Sequence, residues 1–316
     1  MTPLSDPSPR ISVVICTRNR SDHLRRALAG VAEQTLSRDA FETIVVDNAS
    51  TDDTKSVADA FAQPANTRYL FEPVVGLCHA RNAGWRAARG AYVAYLDDDA
   101  IPEPRWLAET LDAFETVRPQ PGCVGGRVSP LYEAPRPGWL SDEASRALTI
   151  VDWPNGPHAI ADLRQEWLVG ANIAFRRLLL DTLGGFPTTL GRIGKRLLSG
   201  EDVYLQRLVM EAGHSCYYQP AASVRHFVPV ARMDRRWFAQ RYYWQGVSDA
   251  VMEILHDRPS PAACRLEGLR RALRILRSPR QLALLILPTR DPARFTRKCW
   301  ALIALGHAVG LLHGRP

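Results

Sequence analysis

Apolar positions along the first hundred residues alternate between two periods. Residues 11–16 form a short β-branched, apolar run, suited to a strand buried on both faces. Ser21 stands where a helix cap belongs, and Leu24, Leu28 and Val31 then recur at helical spacing. Residues 43–46 predict a second buried strand, closed by Asp47. Residues 50–53 predict a turn and the cap of a helix through Val57, Ala58 and Phe61. A strand near 68–71, a helix over 77–88 and a strand over 91–96 complete the pattern. The alternation predicts βαβ units and an α/β fold with a mostly parallel central sheet and helices on both faces. In such open sheets ligands bind beyond the carboxyl ends of the strands, so polar residues just after a strand are site candidates.

The middle of the chain is broken by Pro119, Pro121, Pro130, Pro135, Pro137, Pro154 and Pro157, and a boundary is placed near residue 130. Apolar order returns over 167–175, followed by a short helix over 176–183. A glycine-rich loop leads to Gly200-Glu201-Asp202, which opens a helix through Leu205, Leu208 and Val209 that Gly213 would end. Short strands are predicted at 216–218 and 222–226. From about residue 234 the sequence is arginine-rich and mostly helical, giving three parts: 1–130, 131–233 and 234–316.

The 316 residues are 46% hydrophobic and 23% charged, a globular balance rather than a disordered one. The six cysteines are scattered and form no CxxC pair, which argues against a structural zinc or redox motif. No secretory signal or run of about twenty apolar residues is read, so a cytoplasmic setting with reduced thiols is expected. The net charge of +7 is unevenly spread. Residues 258–316 carry twelve Lys and Arg against Glu267 and Asp291, a net of +10, which leaves −3 for the rest. A nucleic-acid-binding role for the tail would leave the acidic motifs of the body unexplained, and no nucleic-acid partner is expected.

The strongest local chemistry is Asp97-Asp98-Asp99 at the end of an apolar strand. Three adjacent carboxylates repel one another unless a cation sits among them, and hard oxygen ligands suit Mg²⁺ or Mn²⁺. A solvated acidic turn is the alternative. Asp47 also follows a buried strand, whereas Asp52 and Asp53 stand where a helix begins and read as capping residues. Arg81 is either a surface charge or, if it faces the acidic strand end, a contact to a base or phosphate. Glu201-Asp202 has a structural explanation in the helix dipole, and a lone His226 is usually structural. Trp139, Trp153 and Trp167 are either sugar platforms or core. The cations and rings from Arg235 to Trp244 predict an amphipathic helix packed by its aromatic face. Leu266, Leu269, Leu273 and Leu276 recur at helical spacing among Arg270, Arg271, Arg274 and Arg277. That stripe fits either a bundle closing the fold or a helix lying in a membrane interface.

Together the segments resemble glycosyltransferase family 2, with its GT-A fold. The likeness runs through residues 12–20, residues 44–52, Ala80-Arg81-Asn82-Ala83-Gly84 and the aspartate triplet. It continues through Gly170-Ala171-Asn172, Gly184-Gly185-Phe186, Gly200-Glu201-Asp202 and Val224-Arg225-His226. It implies a Rossmann-like sheet and an inverting, metal-dependent transferase. A nucleotide-diphosphate sugar, UDP-linked by preference, would give its sugar to an acceptor hydroxyl. Residues 1–130 become the nucleotide-sugar half, 131–233 the acceptor and base half, and 234–316 a basic helical extension. The resemblance assigns Thr17, Arg18, Asn19, Asp47, Arg81, Asp97, Asp98 and Asn172 to the donor. It assigns Asp99 and His226 to Mn²⁺ or Mg²⁺, Asp202 to the general base and Glu201 to orienting the acceptor or its loop. A saccharide or lipid-linked acceptor in surface polysaccharide or glycolipid synthesis is expected, with a small natural product or protein as the alternative. Peripheral contact of residues 258–316 with the inner face of the plasma membrane is expected as well.

Overall fold

The computed structural model describes residues 8–194 and 196–313. The strands are β1 (Ile11–Thr17), β2 (Phe41–Asp47), β3 (Thr67–Phe71), β4 (Tyr92–Asp97), β5 (Ala100–Pro102), β6 (Cys123–Gly125), β7 (Val128–Tyr132), β8 (His158–Ala159), β9 (Asn172–Arg176), β10 (Cys216–Tyr218) and β11 (Val224–Val228). The helices are α1 (Ser21–Ala32), α2 (Thr54–Ala60), α3 (Leu77–Ala87), α4 (Trp106–Thr116), α5 (Asp142–Ser145), α6 (Arg177–Leu183), α7 (Glu201–Glu211), α8 (Arg235–Asp257), α9 (Pro261–Leu276), α10 (Pro279–Ile286) and α11 (Pro292–His313).

Eight strands form one mixed sheet in the order β3-β2-β1-β4-β9-β6-β10-β8. The first four are parallel, as the alternation predicts. β9 runs antiparallel between β4 and β6. Every residue of β2 is buried, and all of β1 except Cys16, which explains why these strands read as continuous apolar runs. The register places Thr17 beside Asp47 and Cys16 beside Asp97, so three polar strand ends share one edge. Gly84 lets α3 lie close over β1, because a Cβ there would meet a Val14 methyl at 2.4 Å. A second sheet, β5-β11-β7, stands next to the acidic turn.

Two local expectations change. Ser21 is not the cap of α1; Arg20 is the first flanking residue, and the Ser21 N–H is taken by Asp52 Oδ2 at 3.0 Å. A cap lent by a distant loop leaves no local signal. The apolar run at 167–175 becomes strand only from Asn172, and the residues before it form a loop fastened to α7.

The described chain forms two units. The first holds the chain up to Leu131, Ile150–Pro187 and Asp202–Phe227. The second holds Tyr132–Thr149, Thr188–Glu201 and the chain from Val228. Residues 131–233 therefore contribute to both, because β9 and β10 are strands of the central sheet while 132–149 and 188–201 belong with the helices. In the second unit α8 and α11 touch backbone to backbone: a Cβ on Gly246 would lie 2.0 Å from the Ile303 carbonyl oxygen. Trp139 is half-buried, packed edge-on by Phe238 and Phe295 with Arg235 over its ring. The helix predicted around Arg235 and Trp244 is α8, and it buries Phe238 and Tyr242.

Candidate active site

The aspartate triplet leaves β4, turns, and enters β5. β11 pairs with β5 so that His226 lies opposite Ala100, and the Phe227 N–H donates to the Asp99 carbonyl at 2.9 Å. That pairing brings His226 Nε2 to 3.2 Å from Asp99 Oδ1. One ligand atom each from Asp97, Asp99 and His226 lies within 4.8 Å of the other two. Asp99 and His226 are almost wholly buried, and the His226 Nδ1 has no hydrogen-bond partner. Two hard carboxylates and an imidazole suit Mn²⁺ or Mg²⁺, and a buried aspartate beside a half-satisfied histidine, with the partly exposed Asp97 close by, fits a divalent cation.

Asp98 points elsewhere. Thr17 Oγ1 donates to its Oδ2 at 2.8 Å, and Arg20 Nη1 to its Oδ1 at 2.6 Å. The other guanidinium nitrogen of Arg20 donates to Asp99 Oδ2 at 2.8 Å. Burial pushes the Asp98 carboxyl up to about 7; Arg20 opposes the rise, Asp99 adds to it and the Thr17 hydroxyl opposes it. Arg20 is thus the cation that lets two buried acids stand side by side. Its sequence context, the first residue before a helix, reads as an ordinary surface charge and gives no signal of this role.

Arg81, only 3% exposed, projects from α3 and donates to Asp97 Oδ1 at 3.3 Å. Its guanidinium lies 5.3 Å from the Phe186 ring and 5.9 Å from the Tyr95 ring. The neighbouring Asn82 pairs with Phe186 through both backbone groups, donating to its carbonyl and accepting from its N–H. The Arg81-Asn82 and Gly185-Phe186 segments, distant in sequence, are therefore one device that aims a guanidinium at the acidic strand end.

Asp47 accepts from the Ser50 N–H and the Tyr69 hydroxyl, each at 2.8 Å. Asn19 has a positive φ of 53° and accepts from the Thr51 N–H at 2.7 Å, tying the β1 loop to the β2 loop. Arg18 is exposed beside it. Asn172 is placed differently. Its amide accepts from Trp106 Nε1 and donates to the carbonyls of Ala222 and Arg127, so it joins three segments behind the site. Trp153 and Trp167 pack edge-on against each other, and the Trp153 indole donates to the Trp167 carbonyl.

Asp202 lies in the first turn of α7, where the dipole favours negative charge. Its Oδ2 accepts from the Gly170 N–H at 2.8 Å and its Oδ1 from the Val203 N–H at 2.9 Å. Gln206, one turn on, holds both backbone groups of Leu168 at 2.9 Å, which fixes the 168–170 loop on α7. Gly170 also lies under Arg81: a Cβ there would come within 2.2 Å of its Nη2. One glycine backbone thus separates the Asp202 carboxylate from the Arg81 guanidinium. Neither Gly170 nor Gln206 carries a reactive group, so their chemistry does not mark them as parts of the site; Gly170 is signalled only by the family resemblance. Glu201 is buried next to Asp202. The loop before it needs glycine, because Gly200 has a φ of 92° and packs against Met252; the Ser199 N–H donates to Ser248 Oγ.

Gly170→Ala is expected to push Arg81 off Asp97; with Arg81 in the donor role that the family resemblance implies, nucleotide-sugar binding then weakens roughly tenfold, the loss of one charge-assisted contact. Titration of donor by calorimetry, with a thermal melt as the control for folding, checks it.

The sequence model of the family described as "Glycosyl transferase family 2" matches residues 12–181. The chain belongs to glycosyltransferase family 2. Among curated relatives, a glucosyl-dolichyl phosphate glucuronosyltransferase of Haloferax volcanii is 28% identical over 255 residues, 79% of this chain and 80% of the relative. A pre-mycofactocin glycosyltransferase of Mycobacterium tuberculosis is 30% identical over 264 residues, 82% of this chain and 51% of the relative, so the chain spans about half of that protein. Among solved structures, a mannosyltransferase of Pyrobaculum calidifontis in complex with GDP-Man and Mn²⁺ superposes with a TM-score of 0.59 at 22% identity, over 95% of this chain and 87% of that one. S. aureus TarS in complex with UDP-GlcNAc gives a TM-score of 0.54 at 15% identity, over 92% of this chain and 79% of that one. The fold is GT-A, and the protein is a glycosyltransferase.

Proposed function

We propose that this glycosyltransferase is inverting and metal-dependent. It moves a sugar from a nucleotide-diphosphate sugar, UDP-linked first among candidates, to an acceptor hydroxyl of a surface polysaccharide or glycolipid. The observation that carries this is the meeting of Asp97, Asp99 and His226 at the strand edge that also holds Thr17 and Asp47 and onto which Arg81 reaches from α3.

Thr17, Arg18, Asn19 and Asp47 border the nucleotide, with Asp47 toward the base. Asp97 stands on the ribose side, and Arg81 meets the base or a phosphate. Asp98 holds Thr17 and Arg20 in place, and Asn172 supports the site from behind. Asp99 and His226, with Asp97 near, are the residues that would hold Mn²⁺ or Mg²⁺. Held there, such an ion would supply positive charge where negative charge builds on the departing diphosphate. A sugar hydroxyl is a poor nucleophile, so a base must accept its proton as the bond forms. Among the described residues each Asp202 oxygen accepts one N–H, which leaves a lone pair on each for that proton. The hydroxyl attacks the anomeric carbon opposite the leaving group, which inverts configuration in one displacement. Glu201 orients the acceptor or its loop.

The relatives are named for acceptors of two kinds, a dolichyl-phosphate-linked sugar and pre-mycofactocin. The arginine-rich C-terminal helices support the first kind, with the enzyme working beside the cytoplasmic leaflet as part of this proposal. A donor screen by thermal shift, with and without Mn²⁺, tests the proposal. A UDP-sugar is expected to raise the melting temperature only with the metal, corresponding to about 2.7 kcal/mol at a hundredfold excess over Kd. A melt that no nucleotide sugar moves, in either condition, contradicts it.

A further inference from the structure

In α9 the apolar stripe and the packed face are different faces. The helix packs through Cys264, Gly268 and Ile275. Gly268 brings its backbone against α11, since a Cβ there would lie 2.8 Å from the Leu312 nitrogen. At about 100° per residue, Leu266, Leu269, Leu273 and Leu276 fall on the opposite side. They are 39–62% exposed. Arg265 flanks the stripe on one side, and Arg270 and Arg277 on the other. Glu267, the only acid in the helix, lies off the stripe and pairs with Arg271 at 2.8 Å. A helix that merely closes a bundle turns its leucines inward; here small residues and one isoleucine make the inner face.

The neighbouring helices continue the pattern. None of the residues of α10 is fully buried, and Ile286 is 73% exposed just before Leu287. Trp300 of α11 is half exposed, near Arg297 and Lys298. No helix among the described residues is long and apolar enough to cross a membrane. Leucines in the acyl boundary with arginines at the headgroup phosphates is the arrangement of a helix lying in an interface.

We propose that the second unit seats α9 in the surface of an anionic bilayer. The leucine stripe enters the acyl boundary, and Arg265, Arg270, Arg274 and Arg277 meet lipid phosphates. Charge complementarity selects this occupant: the region carries +10 and the cytoplasmic leaflet is negative. A second copy docked on the same face by two-fold symmetry would set arginine against arginine. A polyanion such as nucleic acid would leave the leucines in water. The inference deepens the acceptor class proposed above and rests on it for its biological sense, while the binding itself is measured without turnover.

The full chain is floated with vesicles of phosphatidylcholine plus phosphatidylglycerol, and with phosphatidylcholine alone. The protein is expected to float with the anionic vesicles and to bind neutral ones roughly tenfold or more weakly. Leu269→Gln/Leu273→Gln removes apolar surface without changing charge. It is expected to lose roughly tenfold or more of the anionic binding, while its melting temperature and donor-induced shift stay those of the wild type. Three results overturn the proposal: no flotation of the wild type, flotation of the double variant equal to wild type, or a wild-type dimer in sedimentation that the double variant dissolves. If flotation holds but no nucleotide sugar binds, the reaction proposal falls and the surface stands.

Discussion

Asp202→Asn is expected to lower sugar transfer by about a hundred- to ten-thousand-fold, the usual worth of a positioned general base, while donor binding stays near normal. The geometry sets both halves of that expectation. Asp202 holds two backbone N–H groups, from Gly170 and Val203. An asparagine oxygen can keep one of them, and its amide then faces the other donor, at a cost of about 1 kcal/mol or somewhat more in stability. The fold survives such a loss, but an amide cannot accept the acceptor proton. Radiolabelled transfer to acceptor, set beside donor titration and a thermal melt, separates chemistry from folding. Turnover near wild type removes Asp202 from the role. A collapse of donor binding with little change in chemistry would show instead that Asp202 acts through Gly170 and Arg81.

Asp99→Asn is expected to abolish the Mn²⁺-dependent part of donor binding and to reduce transfer on the order of a thousandfold or more, as several kcal/mol of charge stabilisation at the diphosphate are lost. The substitution keeps size and burial. It removes a carboxylate that touches both His226 and Arg20. Chelation of the wild type with EDTA should reproduce the binding defect, and added Mn²⁺ should restore the wild type but not the variant. Transfer by the wild type that is indifferent to EDTA contradicts metal dependence.

In the parallel half of the sheet β1 and β2 were the most legible strands, because they are buried on both faces and stand out as apolar runs rich in β-branched residues. The triplet was legible because it follows the apolar strand β4, at the strand end where such folds bind ligands. His226 was not readable beside Asp99 from the residues themselves. Its neighbour is set by the pairing of β5 with β11, a long-range contact, and it entered only through family resemblance. Arg20 was hidden for the reason given by Ser21: a residue at the start of a helix reads as a cap or a surface charge, and its true partners lie across the sheet. Asn172 shows the reverse case. A motif position suggested a ligand contact, and the structure gives its amide to three segments of the scaffold. The α9 stripe marks a limit of periodicity, since leucines at helical spacing look alike whether they face a core or a solvent boundary.

The proposed reaction requires Asp97, Asp99 and His226 to share one divalent ion next to the donor diphosphate. Anomalous diffraction from crystals soaked with Mn²⁺ and a UDP-sugar measures this directly. A manganese peak between Asp99 and His226, with the diphosphate beside it and the sugar toward Asp202, is the predicted result. A manganese peak away from that cluster, or a diphosphate bound with no metal near Asp99, would contradict it.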